Sequence, residues 1–193
     1  MLKNENLYQL PQNLPVPVDD GAANHLLGLQ LPSISLMSTT GILVDLASIS
    51  GRTVVYCYPL TGRPDAELPQ GWNEIVGARG CTPQACAFRD CYRELQALGA
   101  ACFGLSAQST EYQQEAVRRL HLPFELLSDS RLMFAKAVGL PTFEVESMTL
   151  IKRLTLIVEN GCIEKVFYPV FPPDRNAEQV IDWLSQNTRN RAK

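Results

Sequence analysis

The order of strand-like and helix-like segments after residue 52 most constrains the fold of this chain. Residues 53–58 form a continuous run of β-branched and aromatic side chains, which is typical of a strand buried on both faces. Farther along, apolar stripes with helical spacing alternate with short apolar runs, and Asn160-Gly161 between two such runs predicts a hairpin turn. This alternation gives parallel strands joined by crossover helices. We therefore predict an α/β protein of thioredoxin-like fold, with a mixed β-sheet flanked by helices.

The predicted elements follow one another along the chain. Apolar spacing and capping residues predict helices over residues 83–98, 110–120 and 130–138, and a last helix that starts at Asp174 or Asn176 and runs to Ser185. Continuous or alternating apolar runs predict strands over residues 53–58, 101–106, 124–127, 152–158 and 162–168. Residues 141–146 are predicted to be a loop. A further hairpin over residues 32–37 and 42–44 adds an N-terminal strand extension to the sheet.

The length of 193 residues fits one domain with a substantial core. We predict an irregular N-terminal arm over residues 1–30, packed on the domain or on a partner, and a single thioredoxin-like domain over residues 31–193. The net charge of −3 gives no reason to expect nucleic acid or an anionic membrane as a partner. No run approaches the roughly 18 apolar residues of a membrane-spanning helix, and residues 1–6 lack the apolar core of a signal peptide. We therefore expect a cytoplasmic protein.

In a reducing compartment the six cysteines are more often buried, catalytic or metal-binding than joined in a disulfide framework. The strongest candidate site is residues 80–90, GCTPQACAFRD, where a loop passes into a predicted helix. Thr82 is the candidate N-cap, with Pro83 at the first helical position. Cys81 then faces the unpaired N–H groups and the positive dipole end of the helix, which favour thiolate over thiol. Cys81 is the predicted reactive cysteine, and Cys86 is close enough in sequence to be a resolving partner.

A long loop over residues 60–80 separates this motif from the strand at 53–58. Loops of this length are uncommon inside compact domains and are usually functional. Trp72 lies within the loop, and we interpret it as a hydrophobic anchor for the loop rather than a lid over Cys81.

Two other uses of the cysteines need consideration. Cys81, Cys86 and Cys91 could serve a non-enzymatic redox switch or a thiolate metal site, although a spacing of five residues turns successive side chains about 140° apart on a helix. That is poor geometry for a shared metal, so no metal site is predicted. Cys91 also falls on the apolar stripe of the predicted helix and is expected to face the core. A thioredoxin-like reductase is disfavoured because the sequence lacks a C-x-x-C pair.

Taken together, these segments resemble the peroxiredoxins, most closely the Q-type branch (bacterioferritin comigratory protein). Residues 80–90 resemble the family's GCTxxACxFRD signature. Other matches in family order are the strand leading to the active-site loop (54–59), a strand-end GIS (104–106), an LLSD segment (126–129) and the strand opened by an arginine (153–158). The resemblance covers roughly residues 30–185.

This resemblance implies that Cys81 is the peroxidatic cysteine and that Arg153 stabilises its thiolate and the departing oxygen. Cys86 would be the resolving cysteine, and thioredoxin or a similar dithiol would reduce the disulfide. A hydroperoxide would be the substrate, with no metal or organic cofactor, and either a monomer or a homodimer would fit. The expected activity is reduction of hydrogen peroxide and organic hydroperoxides.

The loop before the cysteine departs from the family pattern PxxxTxxC. Pro59 lies 22 residues before Cys81, an insertion of about 15 residues, and alanine stands at the threonine position. The implied substrate-binding residues are therefore Pro59 and Gly80, with Thr61 or Thr82 in place of the family threonine, unless that hydroxyl is missing. Backbone N–H groups of Gly80 and Cys81 are further candidates for binding the peroxide.

Helix geometry adds a condition on the disulfide. Residues five apart on an ideal helix have Cα atoms about 8.6 Å apart, whereas a disulfide spans at most about 7 Å. Cys81 and Cys86 can therefore form a disulfide only if the first helical turn unwinds.

Overall fold

A computed structural model describes residues 6–189, with side chains to residue 187. Nine strands are present among these residues: β1 (Ser35–Ser38), β2 (Leu43–Asp45), β3 (Arg52–Cys57), β4 (Ala100–Ser106), β5 (Leu126–Ser128), β6 (Thr142–Val145), β7 (Met148–Ile151), β8 (Leu154–Glu159) and β9 (Cys162–Phe167). Seven of them form one sheet in the order β2-β1-β5-β4-β3-β8-β9, and β6 and β7 form a separate hairpin.

Parallel pairing is confined to the centre of the large sheet. β3 pairs with β4, and β4 with β5, in parallel, while β8 runs antiparallel to β3 and β9 antiparallel to β8. β1 and β2 extend the opposite edge as an antiparallel hairpin beside β5. The predicted mixed sheet and its N-terminal extension are therefore confirmed.

Helices cover both faces of this sheet. They are α1 (Cys81–Asp90), α2 (Tyr92–Ala97), α3 (Thr110–Leu120), α4 (Met133–Val138) and α5 (Asn176–Arg189), with single 3₁₀ turns at Asn24–Leu26 and Pro173–Arg175. One face of β3, carrying Val54 and Tyr56, packs against α1, α2, α3 and α5. The other face, carrying Val55 and Cys57, packs against α4 and the arm residue Leu26. None of the helices described between residues 6 and 189 has the length and apolarity needed to cross a bilayer.

Two predictions of secondary structure were wrong. The helix expected over 83–98 is two helices, because the backbone at Cys91 leaves helical geometry (ψ 3°). Residues 141–146, expected to be a loop, contain strand β6, whose Thr-Phe-Glu-Val alternation pairs with β7. Val145 and Leu150 of the hairpin pack on the long loop, whereas Ile151 at the end of β7 enters the main core. The packing of β6 therefore depends on a segment distant in sequence.

Several predicted termini also move. The helix expected from residue 130 begins at Met133, although the Asp129 carboxylate does accept the N–H groups of Phe134 (3.2 Å) and Ala135 (2.8 Å). The C-terminal helix continues past residue 185 to Arg189. Helix α1 begins at Cys81 rather than after Thr82, because the left-handed backbone of Gly80 places the start of the helix there.

The loop over residues 60–80, which we call the insertion, has a small apolar core of its own. Trp72 is 4% exposed and packs near Phe143 of the β6–β7 hairpin, with ring centroids 6.4 Å apart. Val145 and Leu150 of the hairpin complete this cluster. Trp72 therefore anchors the insertion, as predicted.

The described part of the N-terminal arm, residues 6–30, has little regular structure. Its last third enters the main core through Ala23 and Leu26, and Gln30 forms a β-bridge with Cys162 at the sheet edge. The division of the chain at residue 30 stays a prediction.

Candidate active site at the start of helix α1

The first turn of α1 is shaped by Gly80. Its backbone is left-handed (φ 106°), and Cys81 follows as the first helical residue. Thr82, predicted as the N-cap, lies inside the first turn instead, and Gly80 occupies the N-cap position. Glycine suits this position because it adopts the left-handed conformation without a Cβ penalty. A Cβ at position 80 would also meet the ring of Pro173 and lie 2.8 Å from Leu10. Only glycine therefore fits at this entry to the helix.

Arg153 brings a positive charge to the Cys81 sulfur. It immediately precedes β8, and its Nη2 lies 3.2 Å from Cys81 Sγ. The same nitrogen donates to the carbonyl oxygens of Ala78 (2.9 Å) and Arg79 (3.1 Å), which fixes the loop before the cysteine. Both side chains are almost fully buried, with Cys81 3% and Arg153 4% exposed. A buried guanidinium is thus in direct contact with a buried thiol.

A chain of buried amide groups holds this arginine. Arg153 Nη1 donates to Gln84 Oε1, Gln84 Nε2 donates to Asn176 Oδ1 (3.0 Å), and Thr155 Oγ1 donates to the same oxygen (2.6 Å). Because arginine can only donate, Gln84 must turn its amide oxygen toward Arg153 and its amide nitrogen toward the amide oxygen of Asn176. Sequence reasoning missed Gln84 and Asn176. The only signal available was the place of Gln84 inside the cysteine motif, one helical turn after Cys81.

The predicted substrate-binding residues are only partly gathered around the thiol. Gly80 adjoins Cys81, and Thr82 is buried in the first turn. Thr61 is tied elsewhere: its backbone N–H donates to Gln108 Oε1 (2.9 Å), and Gln108 Nε2 donates to its carbonyl (3.3 Å). Among the described residues, the hydrogen-bond partners of Cys81 Sγ are Arg153 and the Ala78 carbonyl (3.6 Å), and neither threonine hydroxyl is one of them.

Pro59 is buried just after β3, beside Tyr58. The Tyr58 hydroxyl is buried against Thr61, Ser106 and Gln113 without an aligned hydrogen bond, and burial raises the pKa of this phenol. Thr61 therefore lies beside the tyrosine hydroxyl, and Cys81 is also near enough to act on the pKa of that phenol.

The other cysteines differ in their surroundings, and all six are free thiols. Cys86 is half-buried, and burial raises its pKa above the ordinary thiol value, opposed by the nearby Arg89. Cys86 and Cys91 line a common groove with Tyr8 and Leu10 of the arm. The pKa of Cys91 is also raised by burial. The part of the chain that the structure describes contains no cluster of three or more His, Cys, Asp or Glu side chains placed to hold a metal.

Two cysteines on central strands are sealed in the core. Cys57 lies on β3 and Cys102 on β4, as predicted, and burial raises the pKa of both thiols far above the ordinary value. Neither thiol is therefore ionised at neutral pH.

The arm lies across this site. Arg79 Nη2 donates to the carbonyl of Asn6 (2.9 Å), and Leu10 sits over Gly80. Farther along, Asp20 accepts hydrogen bonds from Lys152 Nζ (2.7 Å) and the Tyr168 hydroxyl (2.8 Å). Residues 6–20 thus run over the start of α1. Hydrogen bonds hold this segment at Asn6, through Arg79, and at Asp20, through Lys152 and Tyr168.

Comparison with known proteins agrees with this architecture. The family model described as Redoxin matches residues 26–181. Peroxiredoxin Q, chloroplastic, from Sedum lineare is 32% identical over 155 residues, covering 79% of this chain and 74% of that protein. Peroxiredoxin Q, chloroplastic, from Gentiana triflora is 28% identical over 185 residues, covering 92% of this chain and 77% of that protein. The match to the protein from Oryza sativa subsp. japonica covers 65% of its length.

Solved structures share the fold at lower identity. Peroxidoxin BcpB from Mycobacterium tuberculosis has a TM-score of 0.66 at 22% identity, over 83% of this chain and 96% of that one. The Xanthomonas campestris bacterioferritin comigratory protein has a TM-score of 0.67 at 20% identity, over 83% of this chain and 98% of that one. The sequence relatives decide the family, and the site at Cys81 lies within the matched residues. The chain belongs to the redoxin family and, within it, to the peroxiredoxins of the Q type.

Proposed function

We propose that Cys81 is the peroxidatic cysteine of this thiol peroxidase, with Arg153 as its electrostatic partner. The observation that carries the proposal is the 3.2 Å contact between Arg153 Nη2 and Cys81 Sγ inside a buried site. The other partners of this guanidinium among the described residues are neutral oxygens of residues 78, 79 and 84. A Cys81 thiolate therefore supplies the negative charge that a buried cation needs.

The first step follows from this geometry. The thiolate attacks one peroxide oxygen, so that an S–O bond forms while the O–O bond breaks. The leaving oxygen takes the bonding electron pair, gains a proton from solvent, and departs as water or an alcohol. Arg153, held by Gln84 and the loop carbonyls, stabilises the charge as it moves from sulfur to oxygen. Cys81 is left as a sulfenic acid.

Cys86 is the proposed resolving cysteine. It follows Cys81 on the same helix and is half-buried in the groove under the arm, where its thiol is held mostly protonated at neutral pH. Condensation of its thiol with the sulfenic acid releases water and forms a Cys81–Cys86 disulfide. Thioredoxin or a similar dithiol then reduces this disulfide, which returns both thiols to the starting state.

Peroxide consumption coupled to thioredoxin oxidation tests these roles. Cys81→Ser should abolish turnover, whereas Cys86→Ser should react once and hold a sulfenic acid that dimedone labels. Cys91→Ser is the matched control, since Cys91 lines the same groove, and it should keep turnover. Turnover retained in Cys81→Ser would rule out the proposal.

The same protein preparation distinguishes the proposed peroxidase from the rival function, a redox switch or metal site without turnover. Stoichiometric bound metal together with no peroxide turnover in the unmodified protein would favour it. Under our proposal, turnover persists after treatment with a chelator.

A further inference from the structure

A cavity of about 250 Å³ lies beside Arg153, between the arm and the insertion. We call it the arm–insertion pocket. Its apolar walls come from four separate parts of the chain. They are Val18 of the arm, Ile75 and Val76 of the insertion, Phe143 of the β6–β7 hairpin, and Val170, which follows β9. An apolar cavity of about 150 Å³ is already large enough for benzene. The pocket therefore has room for a compact hydrocarbon group.

The mouth of the pocket exposes apolar surface. Val18 is 83% exposed and Val76 is 54% exposed, and both line the pocket. Adjacent exposed apolar side chains around a concavity are a common mark of a ligand site. These two valines would lose contact with water if a hydrocarbon group entered.

Apart from Arg153, the polar lining of the pocket carries no net charge. Asp20, Lys152 and Tyr168 form this lining, and they bond to one another: the carboxylate accepts from both the ammonium and the phenol. The ion pair cancels the two charges. The pocket thus suits an uncharged group better than a carboxylate or an amine.

The pocket is lined by Arg153, the residue that contacts the reactive thiol. A second, much smaller cavity of about 10 Å³ shares Ile75, Gly77, Arg153 and Val170 with it, and is also lined by Arg79. The two cavities meet along Arg153, whose Nη2 bonds Cys81 Sγ. A ligand with its hydrocarbon part in the pocket would have its other end next to Arg153.

We propose that the arm–insertion pocket binds the compact, uncharged hydrocarbon group of an organic hydroperoxide, so that the insertion and the arm set substrate preference. The inference rests on the proposed function of Cys81 and deepens it. In the reaction the Cys81 thiolate takes the terminal oxygen, the O–O bond breaks, and the alkoxide leaves with the bonding pair, gains a proton, and departs as an alcohol. The alcohol leaves through the same pocket.

The kinetic test compares second-order rate constants for Cys81 oxidation by cumene hydroperoxide and by hydrogen peroxide. Val76→Trp fills the mouth and should lower the cumene-to-hydrogen peroxide ratio at least about tenfold, since even one methylene's worth of apolar contact changes selectivity by that much. Ile42→Trp is the matched control, because Ile42 is similarly exposed (62%) but lies in the β1–β2 turn. A ratio unchanged by Val76→Trp would overturn the proposal.

Two further measurements do not depend on the same variant. Cumene hydroperoxide with a carboxylate on the ring should react at least about tenfold more slowly than the parent compound, because the two cations that line the pocket are already matched, Lys152 by Asp20 and Arg153 by the Cys81 thiolate. Equal rates would contradict the inference.

The alcohol product, 2-phenylpropan-2-ol, should shift the NMR signals of Val18, Ile75 and Phe143 in the reduced full-length protein. Shifts confined to other residues would also overturn the proposal. This binding readout needs no turnover, so it tests the pocket even if the role proposed for Cys81 fails, and that role fails separately if neither peroxide oxidises Cys81.

Discussion

Loosening the first turn of α1 should speed the closure of the proposed Cys81–Cys86 disulfide. The two cysteines lie on one helix, where residues five apart have Cα atoms about 8.6 Å apart, beyond the roughly 7 Å that a disulfide spans. The turn must therefore open between sulfenic acid and disulfide. Ala85→Gly weakens the helix between the two cysteines without touching either sulfur.

The size of the effect follows from the bonds that must open. Unwinding breaks the bond from Gln84 N–H to the Gly80 carbonyl (3.0 Å) and the next two bonds of the helix. At about 0.5–1.5 kcal/mol each, opening costs about 1.5–4.5 kcal/mol. Glycine in a helix interior is less favourable than alanine by about 1 kcal/mol, which should make closure about fivefold faster. The lost methyl of Ala85 is buried and acts in the same direction.

The assay is a pulse of peroxide followed by alkylation at timed intervals, with the disulfide quantified by mass spectrometry. Ala97→Gly makes the same change in α2 at an exposed position and should leave the closure rate unaltered. Equal closure rates in Ala85→Gly and the unmodified protein would refute the reasoning. So would oxidised and reduced crystal structures that superpose through residues 80–90.

Three other outcomes can be stated. Arg153→Met should lower the second-order rate constant for peroxide by roughly 10²–10³-fold, as measured by competition kinetics, because it removes the donor in contact with Cys81 Sγ that is proposed to stabilise the reacting sulfur and oxygen. Gly80→Ala should lower the free energy of unfolding in urea by more than Gly99→Ala, because both glycines are left-handed but only the Cβ at 80 would meet Pro173; the strained backbone alone costs about 1–3 kcal/mol, and equal losses would contradict this. Iodoacetamide should alkylate Cys86 with a pH midpoint above that of a free thiol, because burial raises its pKa, and the stability contributed by its protonated form should fall as pH rises through that raised value.

Local sequence signals predicted the main sheet and most helices. The run at 53–58 became β3, and the stripe at 110–120 became α3 with the predicted bounds. Strand β6 was missed because it packs against the insertion, which lies about 70 residues earlier and which a short window of sequence does not contain. The break at Cys91 was missed because the apolar stripe continues across it.

The candidate site divides in the same way. Cys81 and Arg153 could be named from a motif and a strand start, and the structure places them in contact. The amide chain through Gln84 and Asn176 could not, because it joins residues 92 positions apart and polar residues in helices carry no periodic signal. The contacts of Thr61 could not be predicted either, because they depend on how the long insertion folds back on the domain.

The arm also bears on the order in which the protein is assembled during synthesis. Asp20 emerges from the ribosome before its partners Lys152 and Tyr168, which follow 132 and 148 residues later. Contacts so distant in sequence form late, since the intervening chain must be ordered first. The contacts of the arm with residues 79 and 80 can therefore form before those of Asp20, which wait until the segment that carries Lys152 and Tyr168 has been made.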